Sequence, residues 1–547
     1  MKKIIYINIL ALTAVLWLSS CDKDTLQIPN PNLPTPQGSL VTEGGITNFA
    51  LGIVNRQLGN VTNAGNVNLF AIALTMHSTM GDEQFMPYGN WGVRWANQVY
   101  STTIPPSGSP ILNPFGVTQY ESIIGFNSRQ AADRNVFLYE WFWAYNYISQ
   151  ANALLEALEN PELKFSGDAV TKKGILKAWA QWWKGYAYSR LGSIYIAGSI
   201  VNEAGTTNGD FVNSAGLITE ANKLLGECET TLGGLTLNDE YTRMYRAITA
   251  SYNLQERVIS PDEWKRTINT MRARNLMANK KVASMTAADW NQVITFSNAG
   301  IKKTDNVFQM GYTSDGNNDV VGVFYHPFWL IGGSAQFTFV SERLIQEYKS
   351  GDKRLTRDWV EPPPNEWYPP NIRSRGLQFG TRFAPVEIED GGSFSTANGA
   401  LATLAFCGSW EENDLNKAEA LIYTAQVEQG LQIIDQIRTA QGAQIANVAG
   451  TGLTQAQAIQ ELRRERRVAL FMRGTAFYDA RRWGRTVPLS QGGGRTDAVV
   501  YLPANLNGGV DGARVTTLDY RYIDYFDVPQ NELDFNAPSS VSAPVKN

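Results

Sequence analysis

Two stretches of the sequence alternate aromatic and polar side chains, and their residue types suit recognition of a ligand. The first contains Tyr88, Trp91, Arg94, Trp95 and Asn97, and the second contains Tyr312, Asp315, Asn317 and Tyr325. A flat aromatic ring can cover the apolar C–H face of a sugar, while nearby amide, carboxylate or guanidinium groups hydrogen-bond its hydroxyls. We therefore predict a carbohydrate-binding platform from these residues. The alternative, that each cluster packs into its own hydrophobic plug, is equally open.

Metal-binding and catalytic patterns are poorly represented in the sequence. His77 and His326 are its two histidines, and neither has a partner at a zinc-ligand spacing. Residues 315–319 begin like a calcium-binding loop, but Val320 stands where such a loop requires glycine. A calcium site of looser design stays open. Nucleophile elbows, phosphate-binding loops and dinucleotide fingerprints are missing from the sequence, so we predict no catalysis, no cofactor and no metal.

The elements that must position the two aromatic stretches are mostly helices. Apolar residues recur at helical spacing over residues 137–159, 171–196, 217–231, 262–279, 287–299, 414–429, 431–439 and 454–473. Residues 188–195 (YSRLGSIY) follow the start pattern of tetratricopeptide helix pairs with Tyr in place of Trp, and Gly192 would let a partner helix approach closely. We predict an all-α dominated fold, a superhelix of tetratricopeptide-like helix pairs.

Two further sequence patterns indicate which residues lie in the core and which lie in loops. Trp179, Trp182, Trp183 and Tyr186 lie at helical spacing, which favours packing in the core over ligand binding. Residues 305–405 and 81–110 are instead rich in Gly, Pro, Asn and aromatics, which indicates loops, turns and short strands. We expect a loop-rich, mixed second half to pack on the helical core.

The N-terminus has the layout of a secretory leader. Lys2 and Lys3 precede an apolar run over residues 4–18, whose 15 residues are fewer than the roughly 20 of a membrane-spanning helix. The run ends in Leu-Ser-Ser-Cys, which resembles the bacterial lipobox. We predict a signal peptide at residues 1–20, lipidation at Cys21, a proline-rich tether over 21–45 and a folded domain over 46–547. Acyl chains on Cys21 would tether that domain to a membrane.

Charge and cysteine content exclude several classes of protein. The net charge of −4 provides no general attraction to nucleic acid. Apart from Cys21, the chain has only Cys228 and Cys407, which cannot form a disulfide scaffold. They are either two buried thiols or one bridge.

Residues 463–485 (RRERRVALFMRGTAFYDARRWGR) contain eight arginines. Glu461 and Asp479 precede Arg464 and Arg482 by one helical turn, a spacing that permits ion pairs on a helix surface. Gly474 divides two helical pieces, and Gly484 suits the left-handed end of a helix. We therefore interpret the stretch as a helix–turn–helix packing element held by ion pairs.

The same stretch resembles the C-terminal signature of the SusD/RagB family of Bacteroidetes outer-membrane lipoproteins. The matching residues are Glu465, Arg466, Gly474, Phe477, Asp479, Arg482, Trp483 and Gly484. Ala469 and Arg473 depart from the pattern, since the family frequently has acids there. Residues 18–21, 145–158, 178–192, 435–442 and 526–536 are similar to other landmarks of the family, so the resemblance extends over nearly the whole chain.

This resemblance implies one domain, with a helical core over about 46–300 and 410–490 and a loop-rich insertion over about 305–405. It implies a non-catalytic, lipid-anchored protein exposed at the outer membrane, which captures oligo- or polysaccharide and delivers it to a SusC-like TonB-dependent transporter. The RagB branch implies peptide capture as the main alternative. Two others are a glycosidase using a pair such as Asp82-Glu83 or Glu411-Glu412, and a lid without intrinsic affinity.

Overall fold

The computed structural model describes residues 40–58, 69–87, 90–105, 108–112, 118–249, 257–313, 338–368, 370, 379–386, 401–405 and 407–547. Its helices are α1 Glu43–Leu58, α2 Leu69–Met80, α3 Gln119–Gly125, α4 Phe137–Leu158, α5 Ala169–Ile194, α6 Ser214–Gly233, α7 Asp239–Ile248, α8 Pro261–Ala278, α9 Ala287–Asn298, α10 Glu342–Ile345, α11 Lys353–Asp358, α12 Trp410–Tyr423, α13 Val427–Ala440, α14 Gln455–Ala469, α15 Ala476–Arg482 and α16 Gln530–Leu533. Its strands are β1 Gln84–Phe85, β2 Ser101–Thr103, β3 Ile111–Leu112, β4 Ala197–Ser199, β5 Phe211–Asn213, β6 Gln309–Thr313, β7 Phe339–Val340, β8 Trp359–Val360, β9 Ala384–Pro385, β10 Leu401–Ala405, β11 Arg495–Leu502 and β12 Gly512–Asp519.

Consecutive helices pack as pairs around α5, which lies between α4 and α6. Gly192 on α5 faces Ile218 of α6, and a Cβ at this position would overlap the Ile218 side chain. The close approach predicted at Gly192 is therefore confirmed. The helical fold class is confirmed as well, and the pairing agrees with the tetratricopeptide-like superhelix.

The aromatic residues of α5 form the centre of the largest core. Trp179, Trp182 and Trp183 are fully buried, as is Trp264 of α8. Their rings surround Phe308 at centroid distances between 5.1 and 6.3 Å. The prediction that this cluster packs in the core is confirmed. Phe308 immediately precedes β6, so the tryptophan core also anchors the start of the second aromatic stretch.

A second core joins α12, α13 and α14 through Leu415, Leu431, Ile434 and Leu462. Helix α9 packs on both α8 and α12 and links this core to the first. Capping boxes at Ser260, Thr286 and Thr454 satisfy backbone N–H groups at the starts of α8, α9 and α14. Three of the predicted helices therefore begin with the hydrogen bonds that are typical of helix N-termini.

The arginine-rich stretch folds as α14, a turn and α15, as predicted. Asp479 accepts hydrogen bonds from Arg466 (2.8 Å) and Arg482 (2.7 Å), and Arg482 also pairs with Glu419 of α12. All four side chains are buried, so removing one partner would leave a buried charge uncompensated. Gly474 and Gly484 both have positive φ, 72° and 76°.

One predicted pair of this stretch is wrong. Glu461 does not pair with Arg464 but with Arg438 of α13 (2.7 Å) and Lys349 (3.0 Å). The neighbouring Glu465 pairs with Arg438 (2.8 Å) and Arg354 (2.6 Å). Tertiary contacts between helices therefore replace the local contact that the spacing indicated.

Two helices also end earlier than predicted, because a residue with positive φ follows each of them. The helix predicted over 414–429 ends at Tyr423, and Ala425 has φ 63°. The helix predicted over 454–473 ends at Ala469, and Met472 has φ 56°. Helices α1, α2 and α7 were not predicted from the sequence.

Short strands join the ends of the loop-rich regions. The four-stranded sheet has the order β11-β12-β2-β3, and its β11–β12 hairpin was missed by the sequence analysis. The prediction of short strands within 305–405 agrees with β6 to β10. Cys228 and Cys407 are both buried free thiols, which settles the alternative left open above. No helix within the described ranges is long and apolar enough to cross a membrane.

Candidate functional site

The first aromatic stretch folds as a broken 3-10 segment over Asn90–Asn97. The break lies at Trp91 (φ 52°) and Gly92 (φ 67°), which both adopt left-handed backbone. A Cβ on residue 92 would overlap the carbonyl oxygen of Arg134 and the side chain of Val136. Glycine therefore allows both the turn and the close packing of this segment on the neighbouring 3-10 turn over Arg129–Arg134.

Trp91 and Arg94 point into the protein. Trp91 is 9% exposed and belongs to the main hydrophobic core, and Arg94 is 0% exposed. Arg94 donates a hydrogen bond to the carbonyl oxygen of Pro87 (Nη1 to O, 3.4 Å). In this structure both side chains pack inside the protein. They could contact a ligand, as predicted, only if the segment rearranged. Their role in ligand binding stays a prediction.

Trp95 has the exposure that a stacking residue needs. Its half-buried ring lies 4.4 Å from the guanidinium carbon of Arg94 and 5.8 Å, centroid to centroid, from Phe126. The guanidinium of Arg134 in turn lies 4.9 Å from the Phe126 ring. Trp95 and Phe126 are therefore an aromatic pair backed on both sides by arginine, an arrangement favoured by the negative face of each ring. Asn97, also half-buried, is two residues beyond Trp95.

Phe126 was missed by the sequence analysis. It follows the last residue of α3, a short helix that begins with a capping box at Thr118. The backbone N–H of Gln119 donates to the carbonyl of Gln98, which fixes α3 against the end of the first aromatic segment. Because α3 has only about two turns, its periodicity is too short to be recognised in the sequence.

The other predicted site residues are described only in part. Tyr312 lies in β6, where its backbone pairs with Ala402 of β10, and nothing is described of its side chain. Tyr88, Asp315, Asn317 and Tyr325 lie outside the described residues, and so does the predicted lipidation residue, Cys21.

A short strand pair fixes the start of the first aromatic stretch. β1, just before that stretch, pairs antiparallel with β7, with Gln84 opposite Val340 and Phe85 opposite Phe339. The rings of Phe85 and Phe339 stack at 5.6 Å, and Tyr368 covers Phe339 at 3.6 Å. The chain before the first stretch is therefore joined to a segment more than 200 positions later in the sequence.

Buried charges hold this strand pair in place. Asp82, just before β1, pairs with Arg343 of α10, just after β7 (2.7 Å). The backbone N–H of Ser341 donates to the carbonyl of Glu83 at 2.9 Å. Burial raises the pKa of the Glu83 carboxyl to about 7, although hydrogen bonds from Ser78 and the backbone of Met472 oppose the shift. The Glu83 carboxyl, one residue before β1, therefore changes charge near neutral pH.

The chemistry that this arrangement can provide is stacking and hydrogen bonding. Within the described ranges, no group of three or more His, Cys, Asp or Glu side chains could hold a metal ion. His77 is 1% exposed and contacts Glu140 (2.9 Å), and burial lowers its pKa. It therefore serves as a polar packing residue, as predicted, while His326 lies outside the described residues.

A scaffold of helix pairs that carries the first aromatic stretch on a broken 3-10 segment is the class of architecture that these observations define. The SusD family model matches residues 415–541, a range that contains the arginine-rich signature. This match confirms the resemblance stated from the sequence over that range of the chain. A search of curated proteins found no match to the sequence.

Solved structures share this fold over nearly the whole chain. A SusD-like carbohydrate-binding protein from Bacteroides vulgatus is 14% identical, with a TM-score of 0.57 over 92% of this chain and 98% of its own. Another from Bacteroides fragilis is 13% identical, with a TM-score of 0.57 over 91% and 99%. A structure with a xylogluco-oligosaccharide is 14% identical, with a TM-score of 0.55 over 92% and 99%. At these identities the comparison establishes the fold.

Proposed function

We propose that this protein captures oligo- or polysaccharide outside the cell and delivers it to a SusC-like TonB-dependent transporter, without catalysis. The main supporting observation is the first aromatic stretch, which places Trp95 partly exposed beside Phe126 and is fixed at its start by the β1–β7 pair. The half-buried Trp95 ring, backed by Arg94 and Phe126, offers a rigid surface for stacking on a sugar. Names of structural neighbours, including carbohydrate-binding proteins and one structure with a xylogluco-oligosaccharide, support the same ligand class.

The proposal includes a membrane anchor. Lipidation of Cys21 would hold the protein at the outer membrane, with a tether that ends before α1, which begins at Glu43. Mass spectrometry of the protein isolated from membranes would test this part, because a lipidated chain begins at Cys21 and is heavier by its acyl groups. An unmodified chain in the soluble fraction would contradict it.

Affinity electrophoresis of residues 22–547 against a panel of plant, fungal and host polysaccharides, with xyloglucan included, tests ligand capture. We expect one glycan to retard the protein, and we expect this retardation to persist at high salt because stacking is uncharged. Trp95→Ala should weaken binding about tenfold or more, as loss of a tryptophan contact commonly does. Phe142→Ala is the control, since Phe142 is an aromatic residue 42% exposed on α4 rather than on either stretch.

Three results would overturn parts of this proposal. Retardation that both variants retain would keep the sugar-binding role and reject Trp95 as its site. Failure with every glycan, together with binding to peptides, would assign the protein to the peptide-capturing alternative. Release of a shortened sugar would contradict the absence of catalysis.

A further inference from the structure

A pocket separate from the aromatic site lies where the end of α2 meets the C-terminal part of the chain. Its volume is about 300 Å³ including the open mouth. The residues that line it are Met80, Gly81, Asp82, Arg467, Ala480, Arg485, Thr486, Arg495, Tyr520 and Tyr522. The enclosed part has room for a group about the size of a water molecule. Three guanidinium groups and two phenol rings therefore surround one small space.

The buried, ionised carboxylates near this pocket are fewer than its cations while Glu83, which Arg467 also attracts, is protonated below its pKa of about 7. Arg467 and Arg495 share the carboxylate of Glu347, at 3.2 and 2.9 Å. Arg495 also contacts Asp497, whose side chain is 74% exposed and therefore strongly hydrated.

Asp82, the acid that lines the pocket itself, is already matched. It receives Arg343 (2.7 Å) and the hydroxyl of Tyr520 (2.8 Å). The buried carboxylates thus compensate Arg343 and about one of the three pocket arginines.

Arg485, which is half-buried, makes no ion pair with a described acidic side chain, and Glu347 attracts it only from a longer distance. Among the described residues, no acidic side chain pairs with it and no hydrogen bond to its side chain is found. Burial, together with the positive charges of Arg495 and Arg467, lowers the pKa of Arg485 to about 10. Arg482, three residues earlier, shows the opposite behaviour: burial opposes its charge, but Glu419 and Asp479 outweigh burial and raise its pKa. A cation held next to two others favours a bound negative charge.

We propose that the pocket lined by Arg467, Arg485 and Arg495 binds a small monovalent anion, either a halide or a carboxylate group. Guanidinium groups provide charge-assisted hydrogen bonds to such an anion, and the small enclosed space restricts its size. The anion could be free in the medium or could belong to an acidic ligand, such as a uronic acid. This inference does not depend on neutral-glycan capture at the aromatic site.

The test combines a crystal soak with titrations of residues 22–547. A bromide soak should give an anomalous-scattering peak between the three guanidinium groups. Calorimetric titrations with bromide, acetate, galacturonic acid and galactose distinguish the sources. Binding of bromide and acetate identifies a site for free anions, and binding of galacturonic acid but not galactose identifies a site that accepts a ligand carboxylate.

Two variants at Arg485 and one control complete the design. Arg485→Gln should weaken anion binding about tenfold or more, because it removes a charged hydrogen-bond donor. Arg485→Lys keeps the positive charge, so its affinity for the anion should fall less than that of Arg485→Gln. Arg464→Gln removes the same charge from α14 outside the pocket and should bind as the parent does.

Some results would overturn the proposal. One is a bromide-soaked crystal of the parent without a peak in the pocket, combined with no binding of either carboxylate. The other is equal weakening by Arg485→Gln and Arg464→Gln, because that would indicate general screening rather than a site. If Arg485→Gln does not fold, the parent crystal and its titrations decide.

Discussion

The two tryptophan clusters of this protein have similar compositions, but one is fully buried and the other is partly exposed. On α5, Trp179, Trp182 and Trp183 stand on regular helical backbone and are fully buried against Phe308. In the segment Asn90–Asn97, the backbone is broken at Trp91 and Gly92, and Trp95 stays half-buried. A regular helix directs its rings toward one partner face, whereas a break in the helix can turn one ring inward and leave the next accessible. The regularity of the backbone, more than the number of aromatic residues, therefore distinguishes the buried cluster from the candidate site.

The largest expected effect lies in the core cluster. Trp182→Ala should lower the free energy of unfolding by about 3–5 kcal/mol, because it leaves a large cavity among packed rings. Trp95→Ala should cost less, about 2 kcal/mol, since only part of its ring is removed from water on folding. Urea denaturation of both variants measures the difference. Similar losses would show that the two clusters are both structural, and the comparison would fail.

The next effect concerns Glu83, beneath the candidate site. Its pKa is raised from 4.5 to about 7 on folding, so between these values the unfolded chain releases a proton that the folded protein retains. The parent therefore loses stability as the pH rises from about 4.5 to 7, by roughly 3 kcal/mol in total. Glu83→Gln cannot lose a proton and should gain stability relative to the parent across this range.

Unfolding curves of the parent and Glu83→Gln at pH 5 and pH 8 measure this change. Glu203→Gln, at an exposed position, is the control and should follow the parent at both pH values. A difference between parent and Glu83→Gln that does not vary with pH would show that Glu83 is already ionised in the folded protein.

A smaller effect is expected for the break that exposes Trp95. Gly92→Ala should cost about 2 kcal/mol, because alanine is strained at positive φ and its Cβ would overlap Arg134 and Val136. It should also weaken sugar binding by displacing Trp95. Gly205→Ala is the control: Gly205 has φ 73° with nothing within 4 Å, so it has the strain without the overlap. Equal costs and unchanged sugar binding in both variants would show that packing at Gly92 does not position the site.

Sequence reasoning succeeded where local patterns agree with tertiary contacts. The long helices, the buried tryptophans of α5 and the close contact at Gly192 all follow from periodicity over many residues. It failed for Glu461, whose partners Arg438 and Lys349 come from other elements. It also missed Phe126, which a helix too short to show a pattern places beside Trp95. Residue types indicated the candidate site, but which rings face inward depends on two positive φ angles that composition does not record.

The β1–β7 pair has a consequence for how ligand choice can diverge in such proteins. It fixes the backbone where the first aromatic stretch begins, as the β6–β10 pair does where the second begins. The entropy of closing a loop grows only slowly with length, by about 0.6 kcal/mol for each doubling. Insertions and exchanges within these stretches would therefore cost the helical scaffold little. A shared base with replaceable loops is consistent with one fold over 92% of the chain at 14% identity, and it makes the stretches suitable for transplanting specificity between relatives.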